Sequence, residues 1–336
     1  MRAPPLSVVM PARNAMPYLD EAVASVLAQT FRDFELVIGD DGSTDGTSEA
    51  LAEWAKRDQR VRVLRREGRS GHAGAGNWVV GEARAPIVAR LDSDDRAYPE
   101  RLERQMALLA AEPDIDLVGT AFDTIDGGGK HIRPVDYWRL KRQSVFAPFC
   151  HSSAMFRRAA FDRVGGYRVE ADAWEDLDLF LRVARQGRIA MLPEVLATLR
   201  HAEISGRLRV AEESIAETFD RMYRCVEAFR DSGDYEAVLH APSRPGRLHP
   251  MAFVALGSVR LWSGAAPDML RLIRRRGGLG FDARSLKLLA WAAWGEVSPG
   301  SLRGSLKLLL ALRNAGARRG LKGRRFIEWR PEGLRV

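Results

Sequence analysis

The chain has 336 residues, 46% of them hydrophobic and 29% charged, with a formal net charge of +8 and a pI near 9.8. That composition describes a soluble globular protein with enough apolar chain for a sizeable core and two structural units. No membrane crossing is expected, because the longest uninterrupted apolar stretch, Leu288 to Trp294, is far shorter than the roughly 20 residues a spanning helix needs.

Two cysteines, Cys150 and Cys225, fit neither a disulfide framework nor a zinc site, so a reducing compartment, the cytoplasm, is expected. Met1 to Leu6 passes directly into a strand-like Ser7-Val8-Val9-Met10 with no leader-like segment. The basic residues crowd the last third, in Arg274-Arg275-Arg276, Arg318-Arg319 and Lys322-Gly323-Arg324-Arg325, while the first two hundred residues carry a slight acidic excess. A basic region on a near-neutral body suits an anionic membrane surface or a polyanionic substrate at least as well as DNA. No RNA-binding aromatic signature or zinc-finger spacing occurs, so no nucleic-acid partner is expected.

In chain order, short β-rich runs alternate with amphipathic segments, the rhythm of an α/β protein with a mostly parallel sheet covered by helices. Strands are expected at Leu6 to Met10, Phe34 to Asp40, Val61 to Leu64 and Ile87 to Leu91, with helical segments at Tyr18 to Ala28, Thr47 to Lys56 and Ala75 to Ala83. A helix over Arg101 to Ala111 leads to the apolar run Leu117 to Phe122, then to a more irregular portion ending near Ser205. The reading assigns residues 1–205 to a catalytic domain and 206–336 to a helical, basic C-terminal region.

Ligands of open parallel sheets bind outside the carboxyl ends of the strands. The polar clusters fall there: Pro11-Ala12-Arg13-Asn14, Asp40-Asp41-Gly42-Ser43 and Asp92-Ser93-Asp94-Asp95. The first strand is not followed by G-x-G-x-x-G, and no G-x-x-x-x-G-K-[ST] is present, which argues against dinucleotide hydride transfer and P-loop hydrolysis. A nucleotide not held by glycine amides needs another counter-charge, and Mg2+ or Mn2+ on Asp92 and Asp94, completed by a diphosphate, would supply it. The competing reading is a surface turn capping the helix that follows Pro99. Asp40 to Thr47 likewise reads either as turn chemistry with Thr47 as helix cap or as a carboxylate accepting the imide N–H of uracil or thymine.

An ordered series of segments resembles the family-2 inverting glycosyltransferases of GT-A fold. It comprises Ser7 to Asn14, Ser25 to Phe31, Asp40 to Thr47, Leu91 to Asp95, His151 to Arg158, Gly165-Gly166-Tyr167 and Trp174 to Leu179. The resemblance implies that Pro11, Arg13, Asp40 and Asp41 lie at the nucleotide, with Asn77 also on the donor side. It puts Asp92 near the ribose, Asp94 on the metal and Asp95 against the donor sugar, and makes Asp176 of the Glu175-Asp176 pair the general base. Arg200-His201 resembles a diphosphate-side Arg-x-His element in which the two residues are here adjacent; His201 would join Asp92 and Asp94 as a metal ligand. Relatives often carry Arg-Asn or Leu-Asn where this chain has Gly76-Asn77, and Gly76 brings no charge.

Glu175 and Asp176 also read as first-turn acids favoured by the helix dipole. His151 reads equally as a hydrogen-bonded structural residue or as a lining of the acceptor side, and Trp174 as an acceptor platform or as core. The expected reaction moves a sugar from a nucleotide-sugar donor, UDP before dTDP and GDP by family habit, to a saccharide or lipid-linked acceptor in cell-surface polysaccharide assembly. Leu286 to Leu289 with Trp291 and Trp294, and Leu302 to Leu312 with Lys307 and Arg313, would either pack on the catalytic domain or lie peripherally on the inner face of a membrane. A nucleotidyltransferase and a non-catalytic sugar- or polyanion-binding protein are the alternatives. The first should carry a glycine- and lysine-rich loop after strand one and the second should lack the acids.

Overall fold

Strand β1 (Leu6–Ala12) hydrogen-bonds in parallel to β2 (Phe34–Asp41) on one side and β4 (Ile87–Arg90) on the other, and β2 continues to β3 (Val61–Arg66). All eight residues of β2 are buried, as are all of β1 but Pro11. Near-continuous apolar runs such as Val8-Val9-Met10 and Leu36-Val37-Ile38 fit strands covered on both faces. Helices α1 (Leu19–Leu27), α2 (Thr47–Arg57) and α3 (Gly71–Glu82) make the crossovers. The structure is a computed structural model and describes residues 3–133, 149–172, 174–201, 221–240 except 223, 227 and 230, 327–330 and 333–335.

Beyond β4 the sheet becomes mixed. After the short β5 (Arg96–Ala97) and α4 (Arg101–Ala111), β6 (Ile115–Asp126) runs parallel to β9 (Arg188–His201), and β8 (Met155–Arg157) lies antiparallel between β4 and β6. Strands β7 (His131–Arg133), β10 (Ile327–Arg330) and β11 (Gly333–Arg335) bring the sheet to eleven strands among the described residues. Helices α5 (Arg158–Arg163) and α6 (Glu175–Gln186) lie between β8 and β9 in the chain.

The apolar run Leu117 to Phe122 lies within the 12-residue β6, and the portion expected to be irregular holds the 14-residue β9. Their pattern is obscured where pairing jumps from Thr120↔Leu192 to Ala121↔Val195, skipping Pro193 and Glu194; proline has no N–H for the ladder and sits at such irregularities. Helix α3 starts at Gly71 rather than near Ala75. Its glycines oppose helix formation, but the Asp172 carboxylate accepts the Ala73 amide at 2.9 Å and so supplies the missing cap.

The chain divides into two units, residues 1–202 with 324–336, and residues 203–323. The C-terminal region expected to be helical ends in β10 and β11, and β10 pairs with β9 from Ile327↔Met191 to Trp329↔Ile189; the alternation Ile327-Glu328-Trp329-Arg330 has the period of a strand. In the second unit the described residues include helix α7 (Glu236–Leu239) and the buried Cys225, Phe229 and Tyr235. The segments Leu286 to Leu289 and Leu302 to Leu312, with Trp291, Trp294, Lys307 and Arg313, lie outside the described residues. Among the described residues no helix is long and apolar enough to cross a membrane.

Candidate functional site

The parallel register brings the expected polar clusters to one edge of the sheet. Pro11 stands opposite Gly39, Ala12 opposite Asp40, Asp41 opposite Arg66, and Val9 opposite Arg90, so Arg13 follows β1, Asp41 ends β2 and Asp92 lies two residues past β4, all at the carboxyl edge of the parallel strands. The loops after β1 and β2 are tied to each other: the Asn14 amide donates to Ser43 Oγ at 3.0 Å, and Asn14 Oδ1 accepts the Thr44 amide at 2.9 Å. Asn14 takes a positive φ of 48° to do so, a conformation asparagine tolerates. Thr47, expected as the cap of α2, is its first residue; Asp45 Oδ1 accepts its amide at 3.2 Å, and its own Oγ1 accepts the Ala15 amide at 2.9 Å. Arg13 is exposed and Pro11 half-buried.

Both aspartates of β2 are buried and engaged. Asp40 accepts the Ser43 amide at 2.9 Å and the Ser48 hydroxyl. Asp41 accepts Arg66 Nε at 2.6 Å and the Ser70 amide and hydroxyl, both at 3.0 Å. Burial pushes the Asp41 carboxyl up, but the Ser70 amide, Arg66 and the Ser70 hydroxyl more than offset this and hold it below its ordinary value. Arg66 in turn stacks on Trp78, its guanidinium 4.2 Å from the ring centre.

Three acids follow β4, and each is treated differently. Asp92 Oδ1 accepts both Nε and Nη2 of Arg90, each at 2.9 Å, while its amide donates to Ser152 Oγ at 3.1 Å. Asp94 is half-buried, and its carbonyl accepts Arg200 Nε at 2.8 Å. Asp95 is 1% exposed and accepts the Arg200 amide at 2.8 Å and the Ser152 hydroxyl. Burial, then the charges of Asp94 and Asp92, raise the Asp95 carboxyl well above its ordinary value despite those two bonds. Asp95, expected against the donor sugar, turns its oxygens to Ser152 and β9, so the residue ties the loop to the sheet.

Arg200, expected beside a diphosphate, has its guanidinium engaged with Asp94, Glu21 and the Asp126 carbonyl, over the Tyr18 ring at 4.4 Å. His201 ends β9 opposite Asp126, and its side chain lies outside the described residues.

The Glu175-Asp176 pair opens α6. Glu175 is 2% exposed, and its Oε1 lies 3.9 Å from His151 Nδ1. His151 Nε2 is 2.7 Å from the Tyr167 hydroxyl, and the Tyr167 ring packs on the Arg90 guanidinium 5.6 Å from its centre. A buried line of side chains thus runs from Asp92 through Arg90, Tyr167 and His151 to Glu175. Burial alone would lower the Arg90 pKa, but Asp92 first, then Tyr167 and Glu175, raise it above its ordinary value, so Arg90 stays charged between the two acidic motifs. Asp176 is half-buried, with Oδ1 accepting the Leu177 amide at 2.7 Å.

Two acceptor-side residues turn out to be interior. Trp174 is 3% exposed and belongs to the core, the second of its two readings, and His151 is 7% exposed within the hydrogen-bonded line. Asn77, expected on the donor side, clamps the Tyr167 backbone in a reciprocal pair, both bonds 2.8 Å.

Sequence reasoning gave Arg90, Ser152, Tyr167 and Arg101 no site role, although Ser152 and Tyr167 stood in segments that carried the resemblance. Arg101 is fully buried on α4 and donates to the Arg90 carbonyl at 2.7 Å, fixing the strand end, and burial pulls its pKa down to about 10. The signal for Arg90 was legible: a charge inside Ile87-Val88-Ala89-Arg90-Leu91, where burial requires a partner.

Among the described residues no three His, Cys, Asp or Glu side chains form a metal-binding group. Asp92 and Asp94, two residues apart and both only half-buried, nevertheless offer hard oxygen donors. That set fits a divalent cation that takes the rest of its shell from phosphate oxygens and water.

Comparison with known proteins agrees with this architecture. The Glycosyl transferase family 2 model matches residues 7–165. The chain is 32% identical over 193 residues to the putative glycosyltransferase EpsE of Bacillus subtilis, covering 55% of this chain and 68% of that protein. It is 30% identical to the O-antigen biosynthesis glycosyltransferase WbnJ of Escherichia coli over 54% of this chain and 72% of that protein. Among solved structures, the mannosyltransferase PcManGT of Pyrobaculum calidifontis, in complex with GDP-Man and Mn2+, aligns with a TM-score of 0.56 at 21% identity, covering 96% of this chain and 88% of that one. The fold is thus shared with a GT-A enzyme, and with two relatives at or above 30% identity over more than two thirds of their length, the chain belongs to the family-2 glycosyltransferases.

Proposed function

We propose that the chain transfers a sugar from a nucleotide diphosphate, with UDP the first candidate, to a hydroxyl of a saccharide or lipid-linked acceptor, inverting the anomeric centre. The supporting observation is the convergence of two acidic motifs distant in sequence: Asp92 holds the buried Arg90, and Tyr167 and His151 link Arg90 to Glu175, while Asp176, next to Glu175, reaches the surface. Asp176 takes the proton from the acceptor hydroxyl as its oxygen attacks the anomeric carbon on the face opposite the diphosphate. One displacement suffices and no sugar–enzyme bond is formed.

Asp92 and Asp94 would hold Mg2+ or Mn2+, which when bound supplies positive charge for the departing diphosphate. Pro11, Arg13, Asp40 and Asp41, at the adjoining strand ends, would face the nucleotide. WbnJ is named for O-antigen biosynthesis, and the acceptor proposed here is of that broad class, a surface polysaccharide or its lipid-linked precursor, met at the inner face of a membrane.

The test is a thermal-shift series with UDP, dTDP, GDP, CDP and ADP, with and without Mn2+, followed by donor-hydrolysis assays on the sugar nucleotides of the bases that bind. Stabilisation by UDP that requires the ion supports the reading. Stabilisation by none of the five, or hydrolysis unaffected by exhaustive chelation, rejects it.

A further inference from the structure

Arg90 is an unusual residue for the end of a central strand. It is 3% exposed, and its neighbours in the chain, Ala89 and Leu91, are fully buried. Its Nε and Nη2 close on a single oxygen of Asp92, Oδ1. Its third nitrogen, Nη1, is buried without a hydrogen-bond partner. Burying a guanidinium with one edge unsatisfied is costly, so the arrangement calls for a compensating role.

The space for that nitrogen comes from α3. Residue 76 is glycine, and a Cβ there would stand 3.0 Å from Arg90 Nη1 and 2.8 Å from two ring carbons of Tyr167. Neither neighbour can retreat easily. Asn77 clamps the Tyr167 backbone from the next position of the same helix, and Arg101 fixes the Arg90 carbonyl from behind. A helical glycine gives up helix propensity relative to alanine, and here the gain is room for a strand-borne arginine beside the donor aspartate.

We propose that Arg90 is a positioning residue for donor binding: a buried guanidinium, admitted because residue 76 is glycine, that holds the Asp92 carboxylate in one orientation for the nucleotide diphosphate and its ion. This rests on the donor reading above and adds to it how the first aspartate is presented. Arg90 itself touches no substrate. It acts through Asp92, and residue 76 acts through Arg90.

The experiment measures binding of UDP with Mn2+ to the full chain by calorimetry, for wild type, Arg90→Lys, Gly76→Ala, Asp92→Asn and the double variant Arg90→Lys/Asp92→Asn, with a thermal melt of each. Lysine keeps the charge but cannot make the two-pronged contact. Charge-assisted hydrogen bonds are strong enough that its loss should weaken binding about tenfold or more. Gly76→Ala, on a different element, should weaken binding to a similar degree. In the Asp92→Asn background the lysine substitution should add less than about twofold, since coupled residues are not additive.

Binding by Arg90→Lys within about twofold of wild type, or an equal added loss whether or not Asp92 is present, would overturn the proposal. A general loss of fold would lower the melting temperature of the double variant without producing this coupling. Failure of wild type to bind any nucleoside diphosphate would sink the donor reading itself, a result distinguishable from failure of Arg90→Lys to differ.

Discussion

His151 Nε2 and the Tyr167 hydroxyl are 2.7 Å apart, and both residues are buried, at 7% and 3% exposure. With the imidazole proton on Nδ1, towards Glu175, the hydroxyl donates to Nε2 and both ring nitrogens of His151 have a polar neighbour. Burial raises the Tyr167 pKa above its ordinary value, which keeps the hydroxyl a donor across the accessible pH range.

Removing that hydroxyl separates the hydrogen bond from the packing. Tyr167→Phe retains the ring against Phe161 and Arg90 but strands a buried imidazole nitrogen, a loss of about 1–3 kcal/mol. Urea unfolding should show a free energy lower by that amount, read as a lower midpoint with an unchanged slope. Equal midpoints would mean that the pair contributes nothing.

The assigned base gives a sharper kinetic test. Asp176 is more accessible than Glu175 and lies at the first turn of α6, so Asp176→Asn should fold normally and bind the donor as wild type does. General-base catalysis contributes about 10²–10⁴-fold, and kcat should drop within that range with little change in donor KM. Turnover within about threefold of wild type would remove Asp176 from the role.

A third prediction concerns the scaffold. Gly39, opposite Pro11 on β2, lies under α3: a Cβ there would be 2.4 Å from Val79 Cγ1 and 3.0 Å from the Trp78 ring. Gly39→Ala should overpack the β2–α3 contact and cost about 1–3 kcal/mol, read as a lower unfolding midpoint. Because Arg66 stacks on Trp78, nucleotide binding should weaken as well. An unchanged midpoint would show that α3 yields without strain.

The parallel half of the fold was legible because β1, β2 and β4 are apolar runs bounded by polar turns, and α4 matched its expected limits, Arg101 to Ala111. The β6–β9 pair was not, since the skipped Pro193-Glu194 breaks the period and the pairing spans residues 115 to 201. At the site, local spacing marked the acids but not what neutralises them. That Arg90 serves Asp92, that Arg200 holds Asp94 through its carbonyl, and that Ser152 reaches Asp95 depend on strand order. Asn77 and Trp174 show the converse: a motif position says that a side chain matters without saying whether it faces a ligand or the interior.

Asp95 carries the last prediction, on pH. Its folded carboxyl is raised above the ordinary 3.8 by burial and by Asp94 and Asp92. The folded state therefore binds a proton more tightly than the unfolded chain, so Asp95's stabilising contribution is fully present below the unfolded value and is lost as pH rises through the raised one. Above the raised pKa the charged residue is thus a net cost. The substitution Asp95→Asn keeps an acceptor for the Arg200 amide and can turn its new NH2 towards the Ser152 hydroxyl, so it removes the charge while preserving the pattern. Denaturant unfolding of wild type and Asp95→Asn from about pH 4 to 8, without divalent ions, should show the variant gaining relative stability as pH rises. The opposite sign, with Asp41 held low and losing its bonds only in acid, is expected of Asp41→Asn, which should lose most at neutral pH and least near about pH 3. If Asp95→Asn is less stable than wild type at the alkaline end of that range, the buried carboxylate is better solvated by Ser152 and Arg200 than its surroundings indicate.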